Sequence, residues 1–235
     1  MENTTMFGGS LWIWVIFIGF TVISWLISHQ LKSRFQKYSK IPTANGMTRR
    51  DVVEKMLRDN GVTGVKIGSV EGMLTDHYNP VNKTINLSRD VYYGNSIAAA
   101  AVAAHETGHA LQHAKGYSML KLRSTLVPAV EFASHWVQWI LLAGILMVNS
   151  FPGLLLVGIG LFAIMTLFSF VTLPVEIDAS HRALAWLRNS GITDYQTQGY
   201  AFDALKWAAY TYVIAALSSL ATLLYYIMIY LNRRD

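Results

Sequence analysis

Four stretches of this chain are apolar over roughly the twenty residues that a bilayer's hydrocarbon core demands, which points to a fold built around spanning helices. They run from about Leu11 to Ile27, Val127 to Val148, Leu154 to Leu173 and Ala208 to Leu231. Composition agrees: only 14% of the 235 residues are charged, against about 25% in soluble domains, and the mean hydropathy is +0.33. The first stretch is free of charge, with Glu2 before it and Lys32, Arg34, Lys37 and Lys40 after it. That pattern fits a retained anchor rather than a signal peptide with a basic n-region. The second stretch holds Glu131 and His135 near its start, which leaves its boundary open. Asn149-Ser150-Phe151-Pro152-Gly153 reads as a tight turn that makes the second and third stretches a helical hairpin.

Basic residues then orient the chain. Of the 19 Lys and Arg, 17 lie between Lys32 and Lys206, and only Arg233 and Arg234 fall on the side of the N-terminus. The positive-inside rule makes the first side cytoplasmic and puts both termini outside the cell membrane. The expected organisation is an anchor over 1–28, a cytoplasmic region over 29–126, a transmembrane hairpin over 127–173, cytoplasmic helices over 174–207 and a last transmembrane helix over 208–235. The net charge of +5 and pI near 9.4 follow from those basic loops. Nucleic acid is not an expected partner, because no basic stripe with interleaved aromatics occurs. The chain has no cysteine, which excludes disulfides, thiolate metal sites and cysteine nucleophiles.

Within 29–126, Thr48-Arg49-Arg50-Asp51 resembles a capping box opening a short helix. That helix carries Val52, Val53, Met56 and Leu57 on one face and is closed by Asn60-Gly61. Val65 to Val70 and Lys83 to Leu87 read as two strands of a short β-hairpin, with Asn79-Pro80 in the connection. A second helix starts near Asn95 or Ser96 and runs through an Ala-rich stretch to about Lys115. Within 174–207, Glu176 to Asn189 reads as a helix ended by Gly191, and Thr193 can cap the next one. The fold expected is mainly α, with about four transmembrane helices and a small α+β catalytic part.

Chemistry concentrates in the Ala-rich helix, where His105-Glu106-Thr107-Gly108-His109 fits H-E-x-x-H. Residues four apart share a helix face, so both imidazoles can reach one metal ion, and Glu106 is placed to take a proton from water. Zinc suits neutral imidazoles and brings the pKa of its water to about 7. With this composition about 0.005 matches are expected by chance, so two unrelated surface histidines are the weaker reading. Gly108 costs a helix about 1 kcal/mol relative to Ala, a cost that makes sense if another backbone or a substrate must come close.

Catalytic zinc usually has three protein ligands and an open position. Glu176 leads as the third, because a carboxylate just past an apolar stretch is costly without a cation. Asp178 is its rival; two residues on, it faces elsewhere and suits a hydrogen-bond partner of an imidazole better. His113, one turn beyond His109, is a further candidate ligand. His181 can steady an oxyanion, or be an exposed helical histidine. Asp76-His77-Tyr78 either faces substrate or belongs to a turn, and His29 and His135 read as interfacial.

AHETGHALQH at Ala104–His113, TDHYNP at Thr75–Pro80 and LPVEIDASHRA at Leu173–Ala183 resemble the YugP-type bacterial membrane zinc metallopeptidases, over nearly the whole chain. That family is distantly similar to the HtpX and CaaX-processing proteases. The resemblance implies one zinc ion held by His105, His109 and Glu176, with Glu106 as base: a gluzincin-like, zincin-like site. Those relatives tend to show Glu-x-x-x-Asp, whereas Ser180 stands four residues after Glu176 here, which leaves the role of Asp178 and Ser180 open. The activity implied is hydrolysis of peptide bonds in membrane-associated proteins. Two alternatives remain: an intramembrane protease of the site-2 type, and a membrane zinc-binding protein without turnover. Substrate, specificity and oligomeric state are not legible in the sequence.

Overall fold

The structure, a computed structural model, describes residues 3–43, 46–72 and 75–232; Glu2, Arg233 and Arg234 of the charge argument lie outside them. The elements in order are α1 (Asn3–Tyr38), α2 (Arg49–Asp59), β1 (Lys66–Val70), β2 (His77–Asn79), β3 (Thr84–Ser88), α3 (Arg89–Tyr93), α4 (Ile97–Ala114), α5 (Ser118–Leu146), α6 (Pro152–Asn189) and α7 (Tyr195–Asn232). The protein is mainly helical. Helices α1, α5, α6 and α7 are long and apolar enough to cross a membrane, as the four stretches lead one to expect.

The described residues form two compact units. One draws on 1–27, 122–173 and 211–235, the other on Ser28–Lys121 and Pro174–Tyr210. In the first, Val137 and Leu141 of α5 pack on Leu155 and Ile159 of α6. The helices meet closely where Gly144 faces Leu155: a β-carbon there would stand 2.6 Å from the Leu155 Cα. Small residues let spanning helices approach in this way when water no longer drives them together. Thr166 of α6 and Ser219 of α7 share a hydroxyl–hydroxyl bond of 2.7 Å, and Phe17 of α1 meets Tyr225 of α7 edge to face. Pro152 opens α6, where its missing N–H costs nothing.

In the second unit, the capping box forms as the sequence implies. The Thr48 hydroxyl accepts from the Asp51 N–H, and the Asp51 carboxylate accepts from the Thr48 N–H at 2.9 Å. Val52, Val53, Met56 and Leu57 of α2 enter a core with Ile85 and Leu87 of β3, the alanines of α4, and Ala183 and Leu187 of α6. Fully buried Arg49 links α2 to α4 by donating to the Met47 and Ser96 carbonyls, and burial lowers its pKa to about 10, still cationic at neutral pH.

The sheet differs from the expected hairpin. The two strands legible in the sequence, β1 and β3, pair in parallel, with Lys66 opposite Thr84 and Val70 opposite Ser88. A third strand, β2, lies between them in sequence and pairs antiparallel to β3, with Tyr78 opposite Ile85. The hairpin is therefore β2–β3. Asn79 closes it by accepting from the Val81 N–H at 2.9 Å, an Asx-type turn. Three residues of turn-prone type gave no period-2 signal, so β2 passed as connection. Asp76 belongs to this corner: it accepts from the Ser88 N–H at 2.7 Å, and burial raises its pKa although those bonds pull the other way.

Two helix boundaries also move. Leu154–Leu173 and the Glu176–Asn189 helix are one continuous helix, with Pro174 inside α6. A proline removes one hydrogen bond and bends a helix more readily than it ends one in an apolar setting. The start of α7 is capped by Asp194, which accepts from the Thr197 N–H at 2.7 Å. Thr193 instead bonds Gln198 through its hydroxyl.

Ile85 is the fully buried centre of β3, so Ile85→Ala is expected to cost about 2–4 kcal/mol. Thermal unfolding of the detergent-solubilised protein, followed by near-UV circular dichroism, measures it.

Candidate metal centre

The site grows from helix α4. Ser96 caps it, its hydroxyl accepting from the Ala99 N–H, and alanine is the strongest helix former. From Ile97 to Leu111 nearly every residue is buried, so α4 is enclosed on most of its circumference. Small side chains allow that enclosure. At Gly108 it becomes extreme: a β-carbon would lie 2.7 Å from the Ala179 carbonyl oxygen and 3.1 Å from its Cα. The backbone that the glycine admits is that of α6.

This contact sets two pairs against each other, His105 and His109 on α4, Glu176 and Ser180 on α6. Glu176 Oε2 lies 3.2 Å from His105 Nε2 and 3.5 Å from His109 Nε2. All three ligating atoms lie within 4.8 Å of one another. Tetrahedral zinc with bonds of about 2.0–2.1 Å places ligand atoms about 3.3 Å apart, so the spacing fits one such ion.

The hydrogen bonds behind the rings point the same way. Gln112 donates from its amide nitrogen to the Val175 carbonyl and to Asp178 Oδ2, both at 2.8 Å. Its amide oxygen is thereby left to face His109 Nδ1 at 3.0 Å, and accepts from it. The network so assigns the Nδ1–H tautomer to His109 and frees Nε2 as a lone-pair donor toward Glu176. Ser180 Oγ lies 3.1 Å from His105 Nδ1 and holds that ring in orientation, the hydroxyl being able to donate or accept. Two ring nitrogens facing one buried carboxylate share a positive charge, from a proton or a metal ion, between them. Burial by itself would raise the Glu176 pKa, but the two imidazoles drive it far below the usual carboxylate range. Burial by itself would lower that of His109, but Glu176 and Glu106 hold it above the ordinary value. The pocket thus stabilises positive charge beside an ionised carboxylate, whether a ring proton or a metal ion carries it.

The remaining expected residues fall as follows. Glu106 is buried next to this cluster in sequence, at 8% exposure. Asp178 does not touch a ring; it pairs with Arg182 at 2.6 Å and reaches His109 through Gln112. His181 is exposed on α6, away from the buried positions Ala179 and Ser180. His113 bonds the Tyr78 hydroxyl of β2 at 2.8 Å and lies outside the three-residue cluster. Gln112 was not anticipated. Its place three residues after His109, on the same helix face, was the available signal.

A sequence model described as "Putative neutral zinc metallopeptidase" matches residues 13–231, and the chain belongs to that family of zinc peptidases. Among individual proteins, it is 40% identical to "Putative membrane protease YugP" of Bacillus subtilis (strain 168) over 227 residues, covering 94% of this chain and 99% of that protein. No solved structure matches it.

Two substitutions test the site. Gly108→Ala sets a methyl group against the α6 backbone, so zinc per chain in the purified protein is expected to fall well below that of the wild type. Gln112→Leu releases the His109 ring and is expected to weaken zinc binding about 10–100-fold, measured by competition with a chromogenic chelator.

Proposed function

We propose that this protein is a membrane-anchored zinc endopeptidase that cleaves proteins at or near the cytoplasmic face of the cell membrane. One observation carries the reading: a carboxylate 71 residues downstream meets both imidazoles of the H-E-x-x-H helix. Regions 29–126 and 174–207 make up the catalytic part, with one zinc held by His105, His109 and Glu176. Bound there, zinc supplies a Lewis acid for the scissile carbonyl and acidifies the water it meets. Glu106 takes the proton of the attacking water and returns it to the departing amine. Ser180 and Gln112 hold the two rings through these proton movements.

Substrate fits best as an extended strand. β2 lies at an edge of the sheet in the order β1–β3–β2, with no strand among the described residues on its far side, and Tyr78 ties it to α4 one turn beyond His109. A peptide added along that edge gains backbone hydrogen bonds. Glu176 follows the apolar run of α6 by three residues, which favours juxtamembrane segments of membrane proteins as substrates. Helix α4 is not among the four membrane-length apolar helices, a point in favour of this placement over the site-2 type. The buried Glu106 favours turnover over a zinc-binding role without it.

Glu106→Gln keeps the three ligands, so it is expected to retain zinc while casein or membrane-extract cleavage drops about 10²–10⁴-fold. Undiminished cleavage by that variant, or by chelated wild type, would defeat the proposal.

A further inference from the structure

Helix α5 carries a polar stripe where a spanning helix should be apolar. Glu131, Ser134, His135 and Gln138 are all exposed. At 100° per residue they fall within a sector of about 100°. Ala133, Val137 and Leu141 of the same helix are buried, at 0%, 6% and 4% exposure, and occupy a different sector. Phe132, Trp136 and Trp139 fill a third, exposed and aromatic, as suits lipid. Depth sharpens the contrast. Gln138 precedes the end of α5 at Leu146 by eight residues, or about 12 Å, near the middle of a core about 30 Å thick. With Leu146 taken as one edge of that core, Glu131, about 22 Å before it, also falls inside.

Local bonding does not satisfy the stripe. The Ser134 hydroxyl and His135 Nδ1 both donate to the Glu131 backbone carbonyl, at 2.9 and 2.7 Å. That leaves the Glu131 carboxylate, His135 Nε2 and the Gln138 amide without a partner among the described residues. Ionisable groups inside a bilayer face protein or water, not lipid.

We propose that this stripe is the surface through which two copies of the chain pair within the bilayer. The inference rests on reading α5 as a membrane span. A second copy supplies what the stripe lacks. Around a two-fold axis the Glu131 of one copy meets the His135 of the other, and one proton between carboxylate and ring nitrogen serves both. The Gln138 amides, each donor and acceptor, pair with one another, and Ser134 is small enough for the helices to approach. A substrate's spanning helix is apolar by the same bilayer constraint and offers Glu131 nothing.

The chain has no cysteine, so a single introduced one reports directly on contact. Ser134→Cys and Gln138→Cys, each in the full chain and in native membranes, are expected to form a homodimer on oxidation, whereas Trp139→Cys is expected to stay monomeric. Adding His135→Leu is expected to lower the Ser134→Cys yield by about fivefold. Equal cross-linking at all three positions would overturn the proposal, as would cross-linking of the stripe to a different polypeptide. Absence of dimers together with protection from a membrane-impermeant maleimide would overturn it while leaving α5 a span. Absence of dimers with rapid labelling by that reagent would overturn both.

Discussion

Everything at the candidate metal centre depends on two backbones touching. Gly108 of α4 and Ala179 of α6 meet with no side chain between them, and a single methyl group would force them apart. Close contact between main chains is stiffer than contact through side chains, which can rotate. It therefore fixes both the distance and the register between the His105–His109 pair and the Glu176–Ser180 pair. The helical penalty for a glycine, about 1 kcal/mol, buys that register.

Around this contact the polar groups form one directional chain. Arg182 holds Asp178, Asp178 and the Val175 carbonyl hold the Gln112 amide, and Gln112 fixes which nitrogen of His109 carries its proton. An amide suits position 112 because it donates on one side and accepts on the other. Ser180 orients the His105 ring directly, through one hydroxyl contact. Two neighbouring rings are thus oriented by different means, one through a relay and one by a single hydroxyl. The family relationship says zinc peptidase, and this arrangement says how the chain's own groups present lone pairs to such an ion.

Much of this was legible in the sequence, for local reasons. Capping residues Thr48 and Ser96, the apolar stretches and the H-E-x-x-H spacing all act within a few residues of themselves, and pattern captures that. Gly108 advertised a close approach without saying to what. What stayed hidden depended on pairing across distance. Strand β2 exists because β3 offers it a ladder, not because His77-Tyr78-Asn79 prefer extension, and β1 pairs in parallel along the side of β3 that β2 leaves open. Continuity through Pro174 and the choice of Asp194 over Thr193 as cap are decided by hydrogen bonds that composition does not reveal.

The long interval between the two histidines and the glutamate of the candidate site bears on how the protein comes into being. His105 and His109 leave the ribosome well before Glu176, and all of α5 and most of α6 lie between them. A nascent chain therefore holds the two imidazoles but not the carboxylate of the candidate site until the intervening helices have been made. On the function proposed above, hydrolytic competence arrives only after the chain has committed itself to its final setting, a safeguard inherent in the order of synthesis.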